Sequence, residues 1–360
     1  MTPAAVATAR SWRCKRQGDN CRIETFYATN TDYCSKESLT VLLSGAATRR
    51  QRMLAAQAHD GTPFSALESP LAIGSVTLAV RDLAGMVDYY RAILGLDIEG
   101  PAGGRAVLSS EGHHVLTLLH RPDDAFDRRA EPGLFHTAFV VPSRRHLAAW
   151  LPGAIARGLH LTGASDHKVS EALYFNDPEG NGIEVYADRP RCTWQRAGSQ
   201  YVMATDRLDV QALWDEGRTD AARPAEPIAI RVGHIHLRVR DLASAQAFYG
   251  DQLGMAVTHR RPGALWLGAG GYHHHVAVNT WSSGGALGRS VGQLGLVGFD
   301  ILAGSDAAAA DVVRRLPSPP DLQDGAYLLS DPSGIPVRLR VSPDRPGRAG
   351  RPVAPPAETR

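Results

Sequence analysis

The chain has 360 residues, of which 43% are hydrophobic and 21% charged, with a formal net charge of +2. That length suits two domains of ordinary size, and that balance suits a soluble globular protein. The near-neutral charge argues against a nucleic-acid partner or an anionic membrane surface, and no apolar run approaches the ~18 residues that a membrane helix needs.

Residues 1–70 open the chain without a periodic pattern and are expected to form a disordered extension. Three of the four cysteines, Cys14, Cys21 and Cys34, fall here. Their spacing fits neither paired zinc ligation nor a disulfide framework, so free thiols in a cytoplasmic protein are the simplest reading. The apolar run Thr40 to Ala47 is short and lacks a signal-peptide cleavage pattern.

A repeat then dominates the sequence. Ile73 to Leu83 (IGSVTLAVRDL) matches Val232 to Leu242 (VGHIHLRVRDL), and both continue through Tyr89-Tyr90 or Phe248-Tyr249 to Leu-Gly-Leu96 or Leu-Gly-Met255. In the first copy, alternation over Val76, Leu78 and Val80 predicts a half-buried strand. Asp82 then suits a helix N-cap, Leu83, Met86, Tyr90 and Ile93 form a helical stripe, and Gly95 suits a stop. Short strand-like runs follow at 105–109 and 114–119. A second unit opens at Leu134–Val141, carries a helix near His146–Ala156 that Pro152-Gly153 should kink or split, and closes at Gly182–Tyr186. The third unit starts at Val232, with strand-like runs at 264–268 and 274–279. The fourth runs from Leu296–Ile301 through an alanine-rich helix at Asp306–Leu316 to Ile335–Leu339. Matching turns, Asp177-Pro-Glu-Gly180 and Asp331-Pro-Ser-Gly334, precede the last strands of units two and four. The chain therefore reads as two pairs of modules, 71–190 and 228–342, joined by a linker at 191–227 and followed by a disordered tail at 343–360.

Alternation also selects candidate chemistry. His234, His236 and Arg238 share one face of a strand. His136 shares a face with Ala138, with Phe135, Thr137 and Phe139 behind, and Glu184 points opposite to Ile183 and Val185. A carboxylate on the inner face of a core strand is costly unless paired or metal-bound. Two imidazoles and one carboxylate with open positions are the ligand set of non-haem Fe(II) oxygenases. A lone strand histidine is more often a hydrogen-bonded structural residue, and fourteen histidines make coincidence easy. No nucleophile triad, phosphate-cradling loop or dinucleotide motif competes.

The segments Gly163–Tyr174, Asp177–Pro190 and Gly270–Trp281 resemble bacterial two-domain catechol 2,3-dioxygenases of the vicinal oxygen chelate superfamily, which also includes glyoxalases and antibiotic-resistance proteins. The resemblance covers about 71–342 and is weakest in the fourth unit. It implies an α+β fold in which four βαβββ modules form two vicinal-oxygen-chelate domains with cup-shaped mixed β-sheets. It implies Fe(II), with Mn(II) as the alternative ion, held by His136 and His234 on first strands and Glu184 on a last strand. Ser75 and Val297 take the equivalent first-strand positions in units one and four, and Pro336 takes the glutamate position of unit four. One site then forms only if unit two pairs with unit three. By the same resemblance, His274 of the His273–His275 run is the acid/base, Tyr174 bonds substrate or oxygen, and His167 assists from the preceding loop. His236 either supports substrate or is structural. The implied activity is that of an oxidoreductase, an extradiol dioxygenase inserting both atoms of O2 into a catechol-type aromatic to give a muconic semialdehyde. The implied partners are a small aromatic diol and O2, with no nucleic acid and no membrane; a homo-oligomer is left open. A hydroquinone-cleaving enzyme, another metalloenzyme on the same scaffold, and a metal-free protein binding an aromatic drug are the alternatives.

Overall fold

The computed structural model describes residues 65–219 and 227–342, with the backbone of an antiparallel hairpin, Trp12–Gln17 with Asn20–Thr25. Most of the segments expected to be disordered therefore lie outside the described residues. Residues 65–70 are among the described ones. The short turn Ser65–Glu68 docks on the third module, where Ser69 Oγ donates to the Ala269 carbonyl at 3.0 Å and the Ala66 carbonyl accepts from His275 Nε2 at 2.9 Å.

Each module is a strand, a helix and three further strands. The first comprises β1 (Leu71–Val80), α1 (Leu83–Leu94), β2 (Asp97–Ala102), β3 (Arg105–Ser110) and β4 (His113–His120). The second comprises β5 (Gly133–Val141), α2 (Arg144–Ala156), β6 (Gly163–Asp166), β7 (Ser170–Asn176) and β8 (Gly182–Asp188). The connection carries β9 (Arg196–Ala197), β10 (Gln200–Tyr201), β11 (Asp206–Arg207) and α3 (Val210–Gly217). The third module has β12 (Arg231–Arg238), α4 (Leu242–Ala245, continued as π-helix through Gln246–Gln252), β13 (Ala256–Arg261), β14 (Ala264–Gly268) and β15 (Val276–Asn279). The fourth has β16 (Gly295–Ala303), α5 (Asp306–Arg315), β17 (Asp321–Gln323), β18 (Ala326–Ser330) and β19 (Pro336–Val341).

The caps follow the sequence. Asp82 accepts from Gly85 N–H and Asp241 from Ser244 N–H, while Gly95 and Gly254 end their helices at φ 69° and 84°. Helix α2, by contrast, runs unbroken through Pro152. The proline removes the N–H that would bond the Ala148 carbonyl, and α3 packs its Gly217 against that carbonyl, where a Cβ would come within 1.9 Å. Tertiary packing thus covers the break that local chemistry predicts.

The strands form two curled mixed sheets. One has nine strands in the order β11-β6-β7-β8-β5-β12-β15-β14-β13, and the other eight in the order β17-β18-β19-β16-β1-β4-β3-β2. Module two is thereby joined to module three, and module one to module four, each through an antiparallel pair of first strands. The contiguous halves 71–190 and 228–342 are units of repeat rather than units of sheet. They are tied by a different contact. Tyr90 on α1 donates to Asp177 at 2.8 Å, and Tyr249 on α4 donates to Asp331 at 3.0 Å. The two matching turns therefore anchor helices of the preceding module while the sheets cross-connect the halves.

Candidate metal centre

The nine-stranded sheet carries a transverse row of side chains at its middle. Its register sets His234 beside Ala138, Ala138 beside Glu184, and Glu184 beside Tyr174. Residues laterally paired across strands share a face, so this row faces one side of the curled sheet. His236 pairs with His136 in the adjacent row. The small Ala138 side chain leaves space between the larger groups.

Two β-bulges adjust this row. On β12, Gly233 is the extra residue between the Val232–Phe139 and His234–Ala138 pairs. A Cβ there would lie 1.9 Å from the Tyr186 hydroxyl, so the position requires glycine. Gly233→Ala is expected to lower stability by about 1–3 kcal/mol through overpacking, read as a lower denaturation midpoint. On β5, Phe135 is the extra residue between the His236–His136 and Leu237–Leu134 pairs. Strict alternation predicts Phe135 behind the sheet, but the bulge turns it onto the cavity beside His136.

His136, Glu184 and His234 converge as the row requires. One ligand atom from each lies within 4.8 Å of the others, and all three side chains are buried. Glu184 Oε2 is 3.0 Å from His136 Nε2 and 3.3 Å from His234 Nε2. Despite that proximity, His136 Nε2 makes no well-directed hydrogen bond and is shielded from solvent. A buried polar atom without such a bond is costly, and a cation bridging the three groups would satisfy it. The donor set of two imidazoles and one carboxylate also suits a non-haem Fe(II) ion. Burial alone would raise the Glu184 carboxyl, but His234 and His136 outweigh it and hold the group well below its usual range. Burial pushes His234 down to about 4, leaving its nitrogen free of a competing proton at neutral pH.

The other nominated residues surround this cluster. His274 is buried with its ring centroid 4.1 Å from that of His234. Tyr174 shares a 2.6 Å hydrogen bond with His167 Nε2, and the Nδ1 of His167 donates to the Ala204 carbonyl at 2.6 Å. Because that carbonyl only accepts, a neutral His167 carries its proton on Nδ1, and its Nε2 is then the acceptor for the Tyr174 hydroxyl at 2.6 Å. Burial and the nearby Glu184 charge keep the phenol protonated. His236 Nε2 accepts from Asn279 at 3.0 Å, and its ring lies 4.7 Å from Phe135 and 5.7 Å from Trp281. A cavity of about 210 Å3 opens over all six nominated residues. Its lining also includes Met203 and Thr205 from the linker, Trp266 of β14 and Trp281, none of which sequence patterning selected.

The eight-stranded sheet shows the alternative outcome of the same repeat. Asn181 N–H bonds Asp177 and Ile335 N–H bonds Asp331, which aligns Ile335 with Asn181. Arg338, rather than Pro336, therefore takes the position of Glu184. Its partner across the parallel pair is Asp300, where module two has Ala138. Asp300 is 2.6 Å from Arg338 and accepts from Ser75 at 3.3 Å. This cup thus pairs its own charges, and among the described residues the His136–Glu184–His234 group is the one metal-type cluster found.

The buried neutral histidines have a consequence for stability. Unfolded histidines take up protons near 6.5, whereas His234 and His275 do so only near 4 and 3, burial being the main cause in both. The unfolded state therefore binds more protons below about 6.5, and stability falls as pH drops from there towards 3. Thermal unfolding of the apoprotein should show a midpoint that declines across that window.

Comparison with known proteins accords with this architecture. A family model described as "Glyoxalase/Bleomycin resistance protein/Dioxygenase superfamily" matches residues 72–185 and 231–339. A Bacillus subtilis protein named catechol-2,3-dioxygenase is 39% identical over 229 residues, covering 62% of this chain and 80% of that one. A Rhodococcus globerulus protein named biphenyl-2,3-diol 1,2-dioxygenase 3 is 30% identical over 115 residues, covering 31% and 60% respectively. A crystal structure from Bacillus subtilis assigned to a dioxygenase shares the fold at TM-score 0.52 with 14% identity, covering 79% of this chain and 86% of the other. No helix among the described residues is long and apolar enough to cross a membrane. The chain belongs to the glyoxalase/bleomycin resistance protein/dioxygenase superfamily and is similar to its extradiol ring-cleaving dioxygenases.

Proposed function

We propose that this chain is an Fe(II)-dependent extradiol dioxygenase acting on a small monocyclic catechol. The observation that carries this reading is the buried convergence of His136, Glu184 and His234 on a cavity walled by aromatic side chains. These three residues would hold the ion. When bound, it supplies Lewis acidity to the diol oxygens and an electron path for dioxygen, the chemistry needed to place both oxygen atoms beside the diol.

The remaining steps belong to side chains. Phe135, Trp266 and Trp281 present apolar surface to the aromatic ring and exclude water. Burial and the adjacent imidazoles push His274 well below its usual value, so its ring is neutral and able to accept a diol proton. It returns that proton as the ring opens. With its proton directed to His167, the Tyr174 oxygen keeps acceptor capacity at the cavity this residue lines, a suitable partner for the substrate's second hydroxyl. The product is the muconic semialdehyde expected of cleavage next to the diol.

The cavity volume of about 210 Å3 lies below the roughly 300–1,000 Å3 of sites for drug-sized ligands. That size favours a single ring. With Fe(II)-loaded protein, catechol and methylcatechols are expected to give yellow ring-opened products. A 2,3-dihydroxybiphenyl should be at least about tenfold poorer in kcat/KM, the loss expected when a bulky group must be forced into a packed site. Turnover of hydroquinone but not catechol would contradict the proposal.

A further inference from the structure

Behind His274 lies a buried polar chain that none of the roles above uses. Of the three consecutive histidines, His275 is committed to backbone: its Nδ1 accepts from Ala269 N–H at 3.1 Å and its Nε2 donates to the Ala66 carbonyl at 2.9 Å. His273 differs. It is fully buried, packed against Tyr272 and Trp194 with ring centroids 4.1 and 5.0 Å away. Its Nε2 is 2.8 Å from Asp188 Oδ1, and its Nδ1 is 2.7 Å from Nδ1 of His274. The same Asp188 oxygen accepts from the Tyr272 hydroxyl at 3.1 Å, and Tyr272 and Tyr186 share a 2.7 Å hydrogen bond.

The hydrogen-bond directions in this chain are set from its carboxylate end. An ionised carboxylate only accepts, so a neutral His273 carries its proton on Nε2 and leaves Nδ1 bare. The contact between two Nδ1 atoms needs one proton, and opposite a neutral His273 it is His274 that supplies it. With its own proton on Nδ1, a neutral His274 can expose only an unprotonated Nε2 to the cavity it lines. The opposite tautomer would leave two bare nitrogens facing each other at 2.7 Å in a buried site.

We infer that His273 and Asp188 are positioning residues that hold His274 as the tautomer able to take a proton from bound diol. This inference rests on the proposal that His274 is the acid/base of a ring-cleaving enzyme. The transfer is simple: a diol O–H bond breaks, an N–H bond forms at His274 Nε2, and the diol keeps the electron pair. His273 touches no substrate, and its effect passes through His274.

The test uses metal-loaded protein with catechol and compares His273→Phe, His273→Asn and His274→Ala with the parent. The phenylalanine keeps the ring packing but removes both nitrogens. It is expected to lower kcat by about 10–100-fold, as for other supporting partners of functional groups, with bound metal and KM within about twofold of the parent. The asparagine can still place an amide near the Nδ1 position and should recover part of the lost kcat. If His274→Ala is impaired while His273→Phe keeps parental kcat, the positioning role is wrong and the acid/base reading stands. Parental kcat in His274→Ala itself would sink the acid/base reading. Parallel loss of metal and catechol affinity in His273→Phe would mean that the residue only packs the site, which also overturns the inference. Should that variant not fold, Asp188→Ala removes the acceptor shared by His273 and Tyr272 and is expected to lower kcat, again without change in bound metal, while Tyr272→Phe, which removes only the tyrosine's bond to that carboxylate, is expected to keep parental kcat.

Discussion

Glu184→Ala, purified anaerobically and offered Fe(II), is expected to lose stoichiometric metal binding and, with it, all ring cleavage. The three proposed ligand atoms come from three strands, β5, β8 and β12, and lie within 4.8 Å of one another. Removing the carboxylate leaves two imidazoles and no anionic ligand. The affinity loss should exceed the ~10–100-fold penalty for removing a mere hydrogen-bond supporter of a metal ligand. The variant should still fold. Glu184 is a buried carboxylate whose desolvation is itself costly, and His234, held down to about 4, carries no charge at neutral pH that would be left unpaired. His136→Ala and His234→Ala are expected to lose metal equally, because each contributes one corner from a different module. Full iron content in any of the three variants, measured on folded protein, would contradict the shared site.

The second large effect belongs to His274. Replacing it with Ala should lower kcat by about 10²–10⁴-fold, the usual range for a positioned proton carrier, while bound metal is retained. The expectation of retained metal separates it from the ligands. Its ring lies beside His234, yet the metal-type cluster comprises only His136, Glu184 and His234. A diol whose first hydroxyl is already ionised at the assay pH needs no base for that proton and should suffer a smaller loss. Equal losses for ionised and un-ionised diols would instead place His274 in a later step, such as returning the proton at ring opening.

The repeat and its alternation made much of the architecture readable from residues alone. Val76-Leu78-Val80, the Asp82 and Asp241 caps and the Gly95 and Gly254 stops act within one element, and local chemistry suffices for them. The cross-pairing of modules was accessible by a different route, since His136 and Glu184 lie in one half and His234 in the other. What escaped depends on events between elements. The bulge that turns Phe135 into the cavity is created by the register of β5 against β12 and leaves no trace in the alternation of either strand. The fourth-unit equivalent of Glu184 was misjudged as Pro336, although Arg338 follows Asp331 by the same seven residues that separate Glu184 from Asp177, and the Asp331 hydrogen bonds fix that alignment. Pro152 was over-weighted as a helix breaker because the packing of Gly217 cannot be seen locally. Met203 and Thr205 line the site from a linker whose composition has no period to read.

The most direct test of the central claim is oxygen uptake on adding catechol to protein reconstituted anaerobically with Fe(II), run beside Glu184→Ala. The parent protein is expected to consume one O2 per catechol and to give a yellow ring-opened product, and the variant to do neither. Iron bound by the parent with no uptake for any vicinal diol, or uptake undiminished in Glu184→Ala, would contradict that claim.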